Sequence, residues 1–253
     1  LVINNKAPFG IYYQDTMASK LSKGAGITAV AAIIEHNTSG IISPKKNNIT
    51  DPKALEGKKY GTWNDPVELA MIKSLVEKQG GDYNKIELVP NSDSNSITPL
   101  ENGVFDAAWI YYAWDGKLAE SMNLETNFFY LRDFDKKLDY YSPVIIANND
   151  YLKNNKEEAQ KVLRAIKKGY VYAIEHPEEA ADILIKNAPE LKEKRDFVVA
   201  SQKYISQQYA SNKEHWGEFD AERWNAFYRW VNENKIIEKP LADNTGFSND
   251  YIK

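Results

Sequence analysis

The chain holds 253 residues, 43% of them hydrophobic, which is enough apolar material for one large domain or two lobes. Its formal net charge of -4 excludes a basic nucleic-acid footprint, and no apolar run reaches the length of about 18 residues that a bilayer span requires. Cysteine is absent, which excludes disulfides, thiolate–zinc sites and thiol nucleophiles together and suits an exported chain.

In chain order, "FGIYYQ" (9–14) reads as a strand and "TMASKLSKG" (16–24) as a short helix stopped by Gly24. "ITAVAAII" (27–34) is continuous and β-rich, as a strand covered on both faces should be. "SGIISPKK" (39–46) is a short strand closed by Pro44, and "ITDPKALEGKK" offers a Thr or Asp cap with Pro52 in its first turn. "KKYGTW" (58–63) is a strand. The helix in "NDPVELAMIKSLVEKQGG" has a cap, Pro66 near its start and Gly80–Gly81 as its stop. "KIELVP" (85–90) is a strand, "SNSITPLENG" (94–103) a short helix, and "FDAAWIYY" (105–112) a strand. "NFFYLRD" (127–133) follows, and "YYSPVIIANND" (140–150) is a strand leading into helix.

Beyond residue 151 the pattern is helical, first as an amphipathic run with Val162, Leu163, Ile166, Tyr170 and Ile174 on one stripe. Helices are also expected near 177–187, 194–208 and 220–233. Alternating β and α segments over the first 150 residues predict an α/β fold with a mostly parallel sheet.

Three clusters are candidates for ligand contact. The stretch "FDAAWIYYAWDG" gathers Trp109, Tyr111, Tyr112 and Trp114 at the end of a strand, where open α/β sheets receive ligands. Trp109 reads as core, and the other three divide between packing under a helix and facing a ligand. In "YGTWNDPVE", Trp63 can stack on a flat ring, while Glu68 either accepts from an amino group or complements a helix start. In "IEHNTSGI", His36 is a structural histidine before it is a ligand, and Asn37 is the better candidate for direct contact. "LVINNKAPFGIYYQ" echoes "LENGVFDAAWIYYA", so Tyr12, Tyr13 and Gln14 join the candidates, as do Tyr140 and Tyr141 at the start of the return strand.

Catalytic motifs are missing. The three histidines, His36, His176 and His215, form no His-Glu-x-x-His, and there is no phosphate loop and no nucleophile elbow. No enzyme activity, metal or cofactor is therefore expected.

The motifs "HNTSGI", "LEGKKYGTWNDPVE", "GGDYNKIELV", "LENGVFDAAWIYYAWDG" and "LDYYSPVIIANNDYL", with "GYVYAIEHPEEAADIL" and "WGEFDAERWNAFYRW" in the helical tail, carry a resemblance over essentially the whole chain. The chain resembles the solute-binding proteins of ABC importers that take up pyrimidine precursors of thiamine, which are similar to the yeast-type thiamine-pyrimidine synthases. The resemblance implies a type II periplasmic-binding-protein fold, with two α/β lobes, two hinge crossings and a ligand cleft between them. The implied ligand is a substituted aminopyrimidine, the implied partner an ABC permease, and the implied location extracytoplasmic, with a lipid anchor or in a periplasm. A first strand, helix and strand of the family have no counterpart before Leu1, so any signal and anchor cysteine is expected to belong to that missing start. A binding protein for riboflavin, a sulfonate such as taurine, or nitrate is the alternative, followed by a synthase-like enzyme. A small anion needs arginine, and Arg132 is the one arginine before residue 164. The strands at 39–46 and 140–147 read as the crossings, giving a first lobe of 1–44 and 142–253 and a second of 45–141.

Overall fold

The computed structural model describes residues 1–91 and 95–252. Along the chain run β1 (Phe9–Tyr12), α1 (Gln14–Ser22), β2 (Ile27–Ala32), β3 (Ser39–Pro44), β4 (Lys59–Thr62), α2 (Pro66–Lys78) and β5 (Glu87–Pro90). Next come α3 (Ile97–Glu101), β6 (Ala107–Tyr111), α4 (Lys117–Ser121), β7 (Thr126–Tyr130), α5 (Leu131–Phe134) and β8 (Val144–Asn148). The chain continues in α6 (Asn149–Asn154), α7 (Lys156–Glu175), α8 (Pro177–Asn187), α9 (Arg195–Tyr209) and α10 (Ala221–Glu233). The helix expected over 94–103 appears as α3, and Ser94 at its expected start lies outside the described residues.

Two compact units result, Leu1–Asn37 with Asp139–Lys253, and Thr38–Leu138. The sequence reading put 39–44 in the first lobe and 139–141 in the second. Hydrogen bonding decides otherwise: β3 pairs antiparallel with both β6 and β7, so it belongs to the second unit's sheet. Tyr140 and Tyr141 belong to the first unit.

In the first unit, β8 is the central strand of the order β1-β8-β2, and both pairs are antiparallel. Its apolar residues Ile145 and Ala147 join Val30, Ala31, Leu163 and Trp216 in one core. Trp216 is satisfied there, donating Nε1–H to the Ile33 carbonyl at 3.2 Å while Tyr170 stacks on it at 4.5 Å. The helices α7, α8 and α9 pack on one another.

In the second unit the order is β5-β4-β6-β3-β7. β4 runs parallel to β5 and β6, whereas β3 is antiparallel to β6 and β7. The sheets are thus antiparallel in one unit and mixed in the other, not mostly parallel. The strands adjoining the two passages between units, β3 and β8, pair antiparallel with their neighbours. Along β6, Ile110 and the following Tyr112 pack with Phe105, Leu100 and Ile42. Strand alternation then sends Trp109 and Tyr111 to the opposite face.

α2 shows how locally this unit is encoded. Asp65 caps it, Pro66 sits in its first turn, and Glu68 reaches back to complete a capping box. Its buried Val67, Met71, Ile72, Leu75 and Val76 recur at helical spacing, and Gly80 follows with φ +75°.

Candidate functional site

The second unit offers an aromatic surface at the carboxyl ends of β4 and β6. After Thr62 the chain turns through Trp63 and Asn64, the latter at φ 61°, into the cap of α2. Thr62 Oγ1 accepts from the Asn64 N–H at 2.8 Å, which fixes the turn. The carboxylate of Glu68, only 3% exposed, gathers the remaining donors. It accepts from Tyr60 OH at 2.9 Å, Thr62 Oγ1 at 3.0 Å, the Trp63 N–H at 3.0 Å and the Asp65 N–H at 3.4 Å. Burial pushes the Glu68 carboxyl up, against these hydrogen bonds, which pull it down. Burial, then the Glu68 charge, pushes the Tyr60 phenol well above its ordinary value. Of the two roles that the sequence offers Glu68, the structure shows the one at the helix start: its oxygens are engaged inside the turn and hold the backbone of Trp63.

Trp63 itself is 45% exposed, and its ring lies against Trp109, 3% exposed, with centroids 5.8 Å apart. Tyr111 is half-buried two residues on, and Trp114 is exposed in the π-helical turn Tyr112–Gly116. Tyr112 is turned the other way: its ring packs on Phe128 at 4.6 Å and its hydroxyl donates to Glu120 at 2.6 Å. It is a packing residue. Gly116 is required beside it, since a Cβ there would come within 2.5 Å of the Tyr112 ring. In the same turn, burial pushes the Asp115 carboxyl up to about 6, opposed by backbone hydrogen bonds from Tyr111 and Asp115.

The first unit holds a cavity of about 380 Å³, walled by Tyr141, Tyr209, Phe219, Glu35, Asp220 and Arg223. Arg223 lies over the Tyr141 ring at 4.2 Å and donates to its hydroxyl through Nη2. Through Nη1 it reaches Asp139 Oδ2 at 3.4 Å. His36 Nδ1 stands 2.6 Å from both Asp139 Oδ2 and Arg223 Nη1. A protonated Nδ1 donates to Asp139, and a bare Nδ1 accepts from Arg223; one nitrogen does not do both. The Asn37 N–H donates to Asp139 Oδ1 at 2.9 Å. Burial raises the Asp139 carboxyl, but the His36 hydrogen bond and charge, the Asn37 N–H and Arg223 outweigh it and hold it below its ordinary value. Glu35 accepts from the Ser211 backbone and hydroxyl, and Asp220 accepts from the Arg223 N–H at 2.8 Å as the cap of α10.

Other candidates from the sequence also belong to this unit, some in its interior and some at its surface. Gln14 is fully buried, donating to the Trp224 carbonyl at 3.0 Å and accepting from the Tyr141 N–H at 2.8 Å. Tyr140 is fully buried and stacked on Phe227 at 4.3 Å. Tyr12 is half-buried and Tyr13 is 43% exposed, their rings 6.4 Å apart. Asn37 is fully buried and His36 exposed.

Arg223, Asp139 and Glu35 escaped the sequence reading, which looked for arginine near the early strands. One signal was present: Arg223 sits in the first turn of α10, the positive end of the helix dipole, and so calls for acidic partners. Among the described residues, no group of three His, Asp or Glu is arranged to hold a metal.

A family model described as "NMT1/THI5 like" matches residues 1–180. A protein named formylaminopyrimidine-binding protein, from Halalkalibacterium halodurans, is 22% identical over 250 residues, covering 98% of this chain and 76% of that one. Among solved structures, the alkanesulfonate-binding protein SsuA from Xanthomonas axonopodis pv. citri, bound to MOPS, aligns with a TM-score of 0.71 at 12% identity. That alignment covers 98% of this chain and 82% of SsuA. The desulfurization enzyme DSZB aligns with a TM-score of 0.67 at 12% identity, covering 100% of this chain and 86% of the enzyme. These structural likenesses concern the fold, which is the type II periplasmic-binding-protein fold.

Proposed function

The chain belongs to the NMT1/THI5-like family, and from that premise we propose that it is the solute-binding protein of an ABC importer, with a substituted aminopyrimidine as its solute. The carrying observation is the exposed Trp63 ring held against Trp109 by a turn whose backbone is fixed through Glu68. A flat exposed ring backed by a buried one suits a planar heterocycle, and stacking of this kind contributes on the order of 0.5–1.5 kcal/mol beyond area burial. The name of the relative from Halalkalibacterium halodurans supports this solute class. Trp114 and Tyr111 are the proposed neighbours on the same unit.

A sulfonate is the second reading, favoured by Arg223 at a cavity wall and by the fold of SsuA. It is the weaker one, because Asp139 and the Tyr141 hydroxyl already engage the Arg223 guanidinium. The protein works outside the cytoplasm, tethered by lipid or free in a periplasm, hands its solute to a permease and performs no turnover.

A thermal-shift screen of the full-length protein against 4-amino-5-hydroxymethyl-2-methylpyrimidine, its formylated aminomethyl relative, riboflavin, taurine and nitrate tests the reading. Stabilisation by the pyrimidines, with the solute recovered unchanged, is the expected result. Stabilisation by taurine or nitrate alone transfers the function to an anion, and conversion of a bound pyrimidine makes the protein an enzyme.

A further inference from the structure

Trp109 carries a polar group that the fold does not use. Its indole Nε1–H is closed off from solvent and has no hydrogen-bond partner among the described residues. Two other buried tryptophans are satisfied: Trp216 donates to the Ile33 carbonyl at 3.2 Å and Trp224 to the Thr245 carbonyl at 2.9 Å. A buried donor left unmade weakens a fold, and a phenyl ring would fill much of the same space without that cost. Packing alone therefore explains a large aromatic at 109 but not an indole.

The surroundings supply the reason. Trp109 lies on β6 opposite Ile41 of β3, on the face that strand alternation also gives to Tyr111 and Ser39. Its exposed neighbour is Trp63, tilted by 37° against it. The backbone of Trp63 is tied down through its N–H to Glu68, and the next residue is locked by Thr62. The side chain alone is left to move, by rotation about its own torsions into solvent.

We infer that the Trp109 Nε1–H is the specificity-determining donor of the solute site, uncovered when the Trp63 ring swings aside and taken by an in-plane acceptor of a planar heterocycle. The inference deepens the solute-binding reading and rests on it. It names the ligand class more narrowly: a flat ring with a nitrogen or carbonyl oxygen in its plane, stacked by Trp63 and fixed by Trp109. A site that holds a donor in reserve rejects analogues lacking the acceptor, because those leave the donor unpaired in the complex as well.

Two variants of the full-length protein test this, Trp109→Phe and replacement of Trp109 by 3-benzothienylalanine, which keeps the bicyclic shape and lacks the N–H. Calorimetric titration uses 4-amino-5-hydroxymethyl-2-methylpyrimidine, its analogues with each ring nitrogen replaced in turn by CH, and riboflavin. The expected result is about tenfold weaker binding of the pyrimidine to both variants, with an unchanged affinity for one of the CH analogues. In the ¹⁵N spectrum of the unsubstituted protein, the Trp109 indole signal shifts on addition of the pyrimidine. Equal pyrimidine affinity for all three proteins overturns the role of Trp109 and leaves the pyrimidine reading standing. Binding of riboflavin alone, with the same tenfold loss in both variants, upholds Trp109 and overturns the pyrimidine. Binding of neither overturns both.

Discussion

The carboxylate of Glu68 accepts the backbone N–H of Trp63 at 3.0 Å, so the first turn of α2 holds the residue that presents the aromatic surface. The same oxygen takes Thr62 Oγ1 at 3.0 Å, while the other takes Tyr60 OH at 2.9 Å. A capping residue is thereby also the anchor of the turn that carries Trp63.

Glu68→Ala leaves the hydroxyls of Tyr60 and Thr62 and two backbone N–H groups without their acceptor, and should lower stability by about 2–3 kcal/mol. Glu68→Gln should cost less than about 1 kcal/mol, because its carbonyl oxygen takes the place facing Trp63 and its amide donates to the Tyr60 hydroxyl. Urea unfolding of both variants decides it. Equal costs for Ala and Gln would show that the charge, and not the acceptor geometry, holds the turn.

Asp115 sets a pH dependence. Burial raises its carboxyl to about 6, so the folded state holds this proton more tightly than the unfolded chain does. Its contribution is present at low pH and is lost as pH rises from about 4 through about 6. The full shift corresponds to about 3 kcal/mol, which partial solvent access reduces to the order of 1–2 kcal/mol. Asp115→Asn should therefore exceed the unsubstituted protein in stability at pH 7.5 and match it near pH 4. Unfolding midpoints that differ equally at both pH values would rule this out.

Asp139 behaves in the opposite sense. Burial raises its carboxyl, but His36, the Asn37 N–H and Arg223 together hold it low, so its contribution is present above about pH 4 and fades as pH falls through the depressed value. Asp139→Asn should cost about 1–3 kcal/mol at pH 7. The difference should shrink on acidification below pH 3.5, as followed by urea unfolding. A cost that persists unchanged into acid would assign it to packing.

Gly40 is required by close approach. A Cβ on it would stand 2.2 Å from the Phe129 carbonyl oxygen and 2.5 Å from the Phe128 ring. Gly40→Ala should lower stability by about 3 kcal/mol. Gly26, with no atom within 4 Å of its Cβ position, serves as the control, and its alanine variant should stay within about 0.5 kcal/mol of the parent. Thermal unfolding of the two side by side checks the contrast; similar losses would contradict it.

The sequence by itself determined the elements and several of their ends. The Asp65 cap, Pro66 and the spacing of Val67, Met71, Ile72 and Leu75 specify α2 through neighbours at most a few positions apart. Alternation along 105–112 likewise marked β6, and the rings of Trp63 and Trp114 were recognised as candidates for an exposed surface. Only the tertiary structure decided what those side chains face. β3 joins the second unit because its partners are β6 and β7, a choice made by cross-strand packing that local spacing does not encode. Tyr111 and Tyr112 look alike in sequence, yet the core beneath Phe128 takes Tyr112 and leaves Tyr111 on the face of Trp109. Glu68 reads as a helix-start residue or a ligand contact until Tyr60, Thr62 and Trp63 are seen to claim its oxygens. Arg223 meets Tyr141 from 82 residues away, brought there by the packing of α10. Burial, donor counting and charge pairing are properties of neighbours in space, and for these residues the neighbours come from distant parts of the chain.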